Sequence, residues 1–211
     1  MSKKYNGDNL PDLDLGTKQG VSSNLQVAIR CRPMLEKDLV RGSAECVQVI
    51  NETTLIISEP YDADGHPSTE KSRKLQFEFQ KVFSKTSSNQ EVYNYTTRPL
   101  LDGLFDGLNA TIFAYGASQT GKTYTIMGNG ENSGIIGFAV NDLTTMMESG
   151  ERMGAVLKIS YVEIYNEVIR DLLSTDEKNI DIREDPVKGI FLNNVSEVST
   201  TIKKDIMKMI K

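Results

Sequence analysis

The string Gly116-Ala-Ser-Gln-Thr-Gly-Lys-Thr123 carries the most specific chemistry in these 211 residues, because it satisfies every fixed position of the pattern G-x-x-x-x-G-K-[ST]. Glycines let a backbone turn tightly and approach a ligand, and the N–H groups of such a turn converge on phosphate oxygens. In that arrangement Gly116, Ala117, Ser118, Gln119, Thr120 and Gly121 form the cradle. Lys122 brings a point charge to the β- and γ-phosphates, and the Thr123 hydroxyl is the metal ligand, holding Mg2+. Chance alone would produce the pattern in roughly one of a hundred chains of this length. The alternative, a glycine-rich turn that binds nothing, leaves the Lys-Thr pair after Gly121 unexplained.

Other reactive chemistry is sparse. His66 is the single histidine, and it lies in the polar run Asp62-Ala-Asp-Gly-His-Pro67, the composition of a solvated loop tip. A Ser-His-Asp hydrolase or a zinc site would have to be built on it, with only Cys31 and Cys46 as thiols. Neither is expected. The formal net charge of −5 gives no basic field, so a nucleic-acid partner is not expected either. The longest apolar runs, residues 112–117 and 135–140, fall far short of the roughly 18 residues that span a bilayer. Residues 1–24 contain no apolar core of a signal peptide, so the reading is a cytoplasmic chain with no membrane partner. The sequons at Asn51, Asn94, Asn109 and Asn194 then meet no glycosylation machinery.

The loop needs a strand before it and a helix after it. Residues 111–115 are short, apolar and β-prone, and the sequence from Lys122 onward can continue as a helix. Upstream, Leu25, Val27, Ile29 and Cys31 alternate with polar partners, which predicts a strand ended by Pro33. Residues 46–50 and 54–58 predict a hairpin, 59–74 a long polar loop, and the alternation at Phe77 and Phe79 another strand. Helical spacing over 89–108 predicts one helix kinked at Pro99, and 135–147 a second. Residues 156–165 read as a strand, 167–173 as a helical turn, and 180–183 with 190–195 as two strands around a Pro/Gly turn. Helical spacing returns near the end with Ile206, Met209 and Ile210. The expected class is α/β, with a flexible leader over residues 1–24 and one folded unit over 25–211.

Set in its flanks, the loop reads Ile112-Phe-Ala-Tyr-Gly-Ala-Ser-Gln-Thr-Gly-Lys-Thr-Tyr-Thr-Ile-Met-Gly128, which closely resembles the nucleotide-binding segment of kinesin motor domains. Val27-Ala-Ile-Arg-Cys-Arg-Pro33 resembles the first core strand of that family with its R-x-R-P signature. Phe77-Glu-Phe-Gln-Lys-Val-Phe83, Gln90-Glu-Val-Tyr93 and Ser160-Tyr-Val-Glu-Ile-Tyr-Asn-Glu-Val-Ile-Arg-Asp-Leu-Leu173 follow in family order, so the resemblance covers residues 24–211. It implies a P-loop NTPase fold, a central and mostly parallel sheet flanked by helices, of which this chain holds the N-terminal portion. It also implies ATP and Mg2+ as cofactors and microtubules as partner. Arg30, Arg32 and Pro33 would line the adenine pocket, with Tyr124 stacking on the base from the other side.

Ala117, Gly137-Phe138, the long polar loop and Arg183-Glu-Asp185 most resemble the kinesin-eight subfamily, whose members walk to and shorten microtubule plus ends. Lys71, Arg73, Lys74 and Lys188 are candidate tubulin contacts, and solvated surface charge is the plainer reading of each. The family's switch strings, N-x-x-S-S-R-S-H and D-L-A-G-S-E, do not occur. The expectation is therefore an ATP-binding part of a microtubule motor, located on the cytoplasmic cytoskeleton with the spindle as one site, whose parent is dimeric through other regions. Hydrolysis by these residues alone is not expected, and no catalytic residue is assigned. A truncated non-motor protein that binds nucleotide or tubulin is the alternative. A small P-loop kinase or GTPase fits less well, because a long structured region precedes the loop and no N-K-x-D string exists. In the family's sheet the loop strand stands between strands absent here, which predicts that it lacks neighbours.

Overall fold

Alternation of apolar and polar side chains yields β1 (Ala28–Arg30), which stops before Pro33, where a ladder would lose a donor. The computed structural model describes residues 25–58, 74–149, 155–176, 180–187 and 189–210. The leader over residues 1–24, most of the long polar loop with His66, Lys71 and Arg73, and also Lys188 lie outside the described residues.

Helix α1 (Glu36–Val40) follows β1 and was not anticipated from the sequence. Its first turn is tied by the Asp38 carboxylate, which accepts from the Leu35 N–H at 3.0 Å. The expected hairpin forms from β2 (Val47–Val49) and β3 (Thr54–Ser58), with Asn51 Oδ1 accepting from the N–H groups of Thr53 and Thr54 in the turn. β4 (Lys74–Glu78) adds antiparallel to β3, and β5 (Lys81–Phe83) runs parallel to β1 with Ile29 opposite Val82.

The stretch predicted as one kinked helix is two helices. α2 (Asn89–Thr96) starts at a capping box, in which the Ser88 hydroxyl accepts from the Glu91 N–H and the Glu91 carboxylate accepts from the Ser88 N–H. α3 (Arg98–Phe105) begins after Thr97 and carries Pro99 in its first turn, where a missing N–H breaks no bond. Pro99 therefore starts a helix where a kink was expected. Beyond the glycine-rich loop come α4 (Lys122–Ile126) and α5 (Ile135–Glu148), both where the sequence placed helices.

The C-terminal third is made of short antiparallel pairs. β6 (Lys158–Ile159) pairs with a later strand, whereas β7 (Val162–Tyr165) and β8 (Val168–Asp171) form a hairpin where 167–173 was read as a helical turn. Alternating Val162, Ile164 and Val168 suit a strand, and Asn166 and Glu167 both take left-handed φ, +48° and +64°. A two-residue turn of that hand matches the twist of the strands it joins. β9 (Asp181–Asp185) and β10 (Gly189–Asn193) form the second expected hairpin. β11 (Val198–Ser199) pairs with β6, and α6 (Lys203–Met209) follows.

Two apolar clusters join the helices to β1, β5 and β6, and α5 contributes to both. Phe83, Val92, Tyr93, Leu101 and Ile135 are buried together, with Ala28, Phe138 and Leu143 packed on them. This cluster seats the parallel β1–β5 pair against α2, α3 and α5. On another face of α5, Val140 packs with Ile206 and Ile210, joined by Met127, Leu157 and Tyr161. The architecture is thus α/β, with a parallel pair flanked by helices and antiparallel ribbons around it. Residues 111–115, predicted as the strand entering the loop, pair with no strand among the described residues. Phe113 is 73% exposed and Tyr115 95% exposed, as expected of a strand segment without in-sheet neighbours. Among the described residues no helix is long and apolar enough to cross a membrane.

Candidate nucleotide-binding site

Gly121 is the pivot between loop and helix. It takes φ +96° and ψ +17°, a conformation that side chains disfavour, and Lys122 begins α4 immediately after it. The Lys122 ammonium folds back over the loop and donates to the carbonyls of Gly116 at 2.8 Å and Ala117 at 2.7 Å. Thr120 closes the same turn, its hydroxyl donating to the Ala117 carbonyl at 2.8 Å. Ser118 and Gln119 form the exposed crest, where the Gln119 side-chain oxygen accepts from Lys37 of α1 at 2.7 Å. Thr123 is exposed, and its hydroxyl has no hydrogen bond among the described residues.

These residues fit a triphosphate. The first N–H groups of α4 have no partner inside the helix, and a five-residue helix attracts anions through those groups and Lys122 more than through a long dipole. A free Thr123 hydroxyl beside them would offer Mg2+ an oxygen ligand of the kind it accepts. Bound Mg2+ would neutralise charge on the β- and γ-phosphate oxygens.

The end of the candidate site at Arg30 and Tyr124 is more heavily built than the sequence suggested. The Arg30 guanidinium lies over the Tyr124 ring, 5.3 Å from its centroid, and donates to Thr125 Oγ1 at 2.9 Å and to the Ser87 carbonyl at 3.0 Å. Burial pushes its pKa down from the ordinary value, partly offset by Tyr124 and Glu91, yet a guanidinium stays charged at any physiological pH. Arg32 points the other way. It donates to Asp38 Oδ2 at 2.7 Å and to the Pro33 carbonyl at 3.1 Å, and its stem passes beside Gly121. The Leu35 N–H, then the Arg32 guanidinium, hold the Asp38 carboxyl below its usual value. Arg30 and Tyr124 thus meet directly, while Arg32 and Pro33 join the loop through its α1 side.

Sequence reasoning missed Asn89, Asp38 and Lys37. Asn89 is 4% exposed and accepts from Arg30 at 2.5 Å, while its amide donates to the carbonyls of Tyr124 at 3.1 Å and Ser133 at 2.9 Å. Apolar spacing placed the helix that begins at Asn89, but no local signal tells that this residue reaches three other segments.

A glycine-rich loop leading into a helix that follows a left-handed glycine, set beside a small parallel pair, defines a P-loop nucleotide-binding class of protein. The family model for the kinesin motor domain matches residues 30–211, and the chain belongs to that family. The kinesin-like protein KIF19 of Xenopus laevis is 36% identical over 188 residues, covering 88% of this chain and 19% of the relative. The kinesin-like protein KIN-8A of Arabidopsis thaliana is 34% identical over 190 residues, covering 90% of this chain and 26% of the relative, which agrees with the kinesin-eight resemblance. A solved structure described as a fast kinesin shares the fold, with a TM-score of 0.76 at 24% identity, covering 88% of this chain and 51% of that one. The chain therefore spans about a fifth to a quarter of these curated relatives and about half of the solved motor.

Proposed function

We propose that this chain is the ATP-binding part of a microtubule-based motor located on the cytoplasmic cytoskeleton. Residues 116–123 take the phosphates, Thr123 takes Mg2+, and Arg30, Arg32, Pro33 and Tyr124 surround the base. Coupling of hydrolysis to movement along microtubules, or to their shortening, belongs to the whole protein, and the groups that sense the γ-phosphate are contributed by residues other than these 211. The observation that carries this reading is the loop folded around its own lysine, with Lys122 Nζ within 2.8 Å of two loop carbonyls and Gly121 left-handed before it. Sequence supports it from the other side, since neither family switch string is present.

The test is a fluorescence titration with Mg-ATP on the wild type and Lys122→Ala. Removing the charge that faces the β- and γ-phosphates is expected to weaken binding at least about tenfold. Equal affinity in the two proteins overturns the site assignment. Microtubule-stimulated phosphate release, compared between this chain and a version extended through both switches, should appear only in the longer one.

A further inference from the structure

We propose that Asn89 is a positioning residue for the base end of the nucleotide site, because its buried side chain joins Arg30 of β1, the Tyr124 carbonyl of α4 and the Ser133 carbonyl before α5. The inference rests on the nucleotide reading above and adds a residue to it. Arg30 needs an acceptor, so the amide oxygen must face it, and the two carbonyls need donors, so the NH2 must face them. No other orientation satisfies the three partners. The amide uses both N–H donors, on two chain segments, and at 4% exposure it has little water to fall back on.

Its effect reaches the ligand surface through Tyr124. One bond fixes the Tyr124 backbone, and another fixes the guanidinium lying 5.3 Å from the ring centroid. Ring and backing cation are thereby held together, giving a base a flat face that is already in place. Substitutes lack one or another of these features. An aspartate would set negative oxygen against two carbonyls, serine is too short to span the three partners, and glutamine displaces the same amide by one methylene at a buried position.

The experiment measures affinity for Mg-ATP and for Mg-tripolyphosphate, which has no base, by calorimetry on the protein as its gene encodes it. Asn89→Ser is expected to weaken ATP about tenfold and leave tripolyphosphate unchanged, whereas Lys122→Ala weakens both. In a Tyr124→Leu background the Asn89→Ser effect on ATP should largely vanish, since the two act through one surface. Equal weakening of both ligands by Asn89→Ser, or an undiminished effect in the Tyr124→Leu background, makes Asn89 a purely structural residue and overturns the proposal. If Asn89→Ser does not fold, Asn89→Gln gives the same comparison with the amide retained. A wild type that binds neither ligand overturns the nucleotide reading and this inference with it, while binding lost on Lys122→Ala but indifferent to Asn89 overturns this inference alone.

Discussion

Asp38 and Glu91 show what single carboxylates do around the loop. Asp38 holds the entry to α1 together with Arg32, and Glu91 closes the capping box of α2 next to Asn89. Hydrogen bonds from Leu35 and Arg32 lower the Asp38 pKa from 3.8, and hydrogen bonds from the Ser88 backbone and hydroxyl lower that of Glu91 from 4.5. A carboxylate with a depressed native pKa binds fewer protons folded than unfolded, so its contribution is complete above the ordinary value and disappears as pH falls through the native one. Acidification well below 4.5 should therefore loosen the start of α2, and acidification well below 3.8 should loosen the Asp38–Arg32 pair. Circular dichroism across that range would show it, with a flatter acid limb in Glu91→Gln. Equal acid limbs in the two proteins contradict the assignment. At this scale the phosphate loop was legible because its chemistry depends on residue type at fixed spacing. Asn89 was not, since its partners at 30, 124 and 133 are remote in sequence and an asparagine after a cap reads as ordinary helix start.

Elements were legible where burial imposed a period and illegible where it did not. α5 repeats apolar residues on two faces because it packs against two clusters, and its extent was anticipated within a residue of its end. α1 gave no such signal, since Leu39 and Val40 are 62% and 82% exposed and its order comes from Asp38 and Leu35. The β7–β8 hairpin was misread because its turn puts left-handed φ on Asn166 and Glu167, with no glycine to mark it. A different pair of glycines is the strictest constraint on element packing. The chain leaving α4 returns so closely that a Cβ on Gly134 would stand 2.4 Å from the Gly128 nitrogen and 2.4 Å from the Ile126 carbonyl oxygen. Backbone cannot yield as a side chain can, so Gly134→Ala should cost more than about 4 kcal/mol, read as loss of soluble protein or a collapsed melting curve. Ser88→Ala, which removes only a cap, should cost about 1 kcal/mol and leave a normal cooperative melt when both variants are made in the version extended through both switches. A Gly134→Ala protein as stable as the cap variant would show that the α4–α5 crossing opens without cost.

On the scale of the whole molecule, the ladders do not join into one sheet among the described residues, and more large apolar side chains there are exposed than buried. Ile112, Phe113 and Tyr115 stand out because they form the approach to the phosphate loop. Unpaired apolar backbone of this kind is costly and adhesive. The 211-residue chain by itself should bind a hydrophobic dye and lack a sharp melt, and Phe113→Ser with Tyr115→Ser should reduce the dye signal. A cooperative transition raised by Mg-ATP would sink this expectation. The α/β class was readable from the motifs and periods, whereas the missing ladder beside residues 111–115 depends on which strands lie alongside, which no local pattern reports. One feature still joins distant parts. α5 lies against α4 at its start and α6 along another face, and Met127 at the end of α4 shares the cluster of Ile206 and Ile210. Amide hydrogens report such a linkage, since exchange slows in any segment whose opening requires its neighbour to open too. Nucleotide held at the loop should therefore slow exchange in α6, far from the loop in sequence, and Val140→Ala, which loosens the packing between α5 and α6, should erase that remote protection.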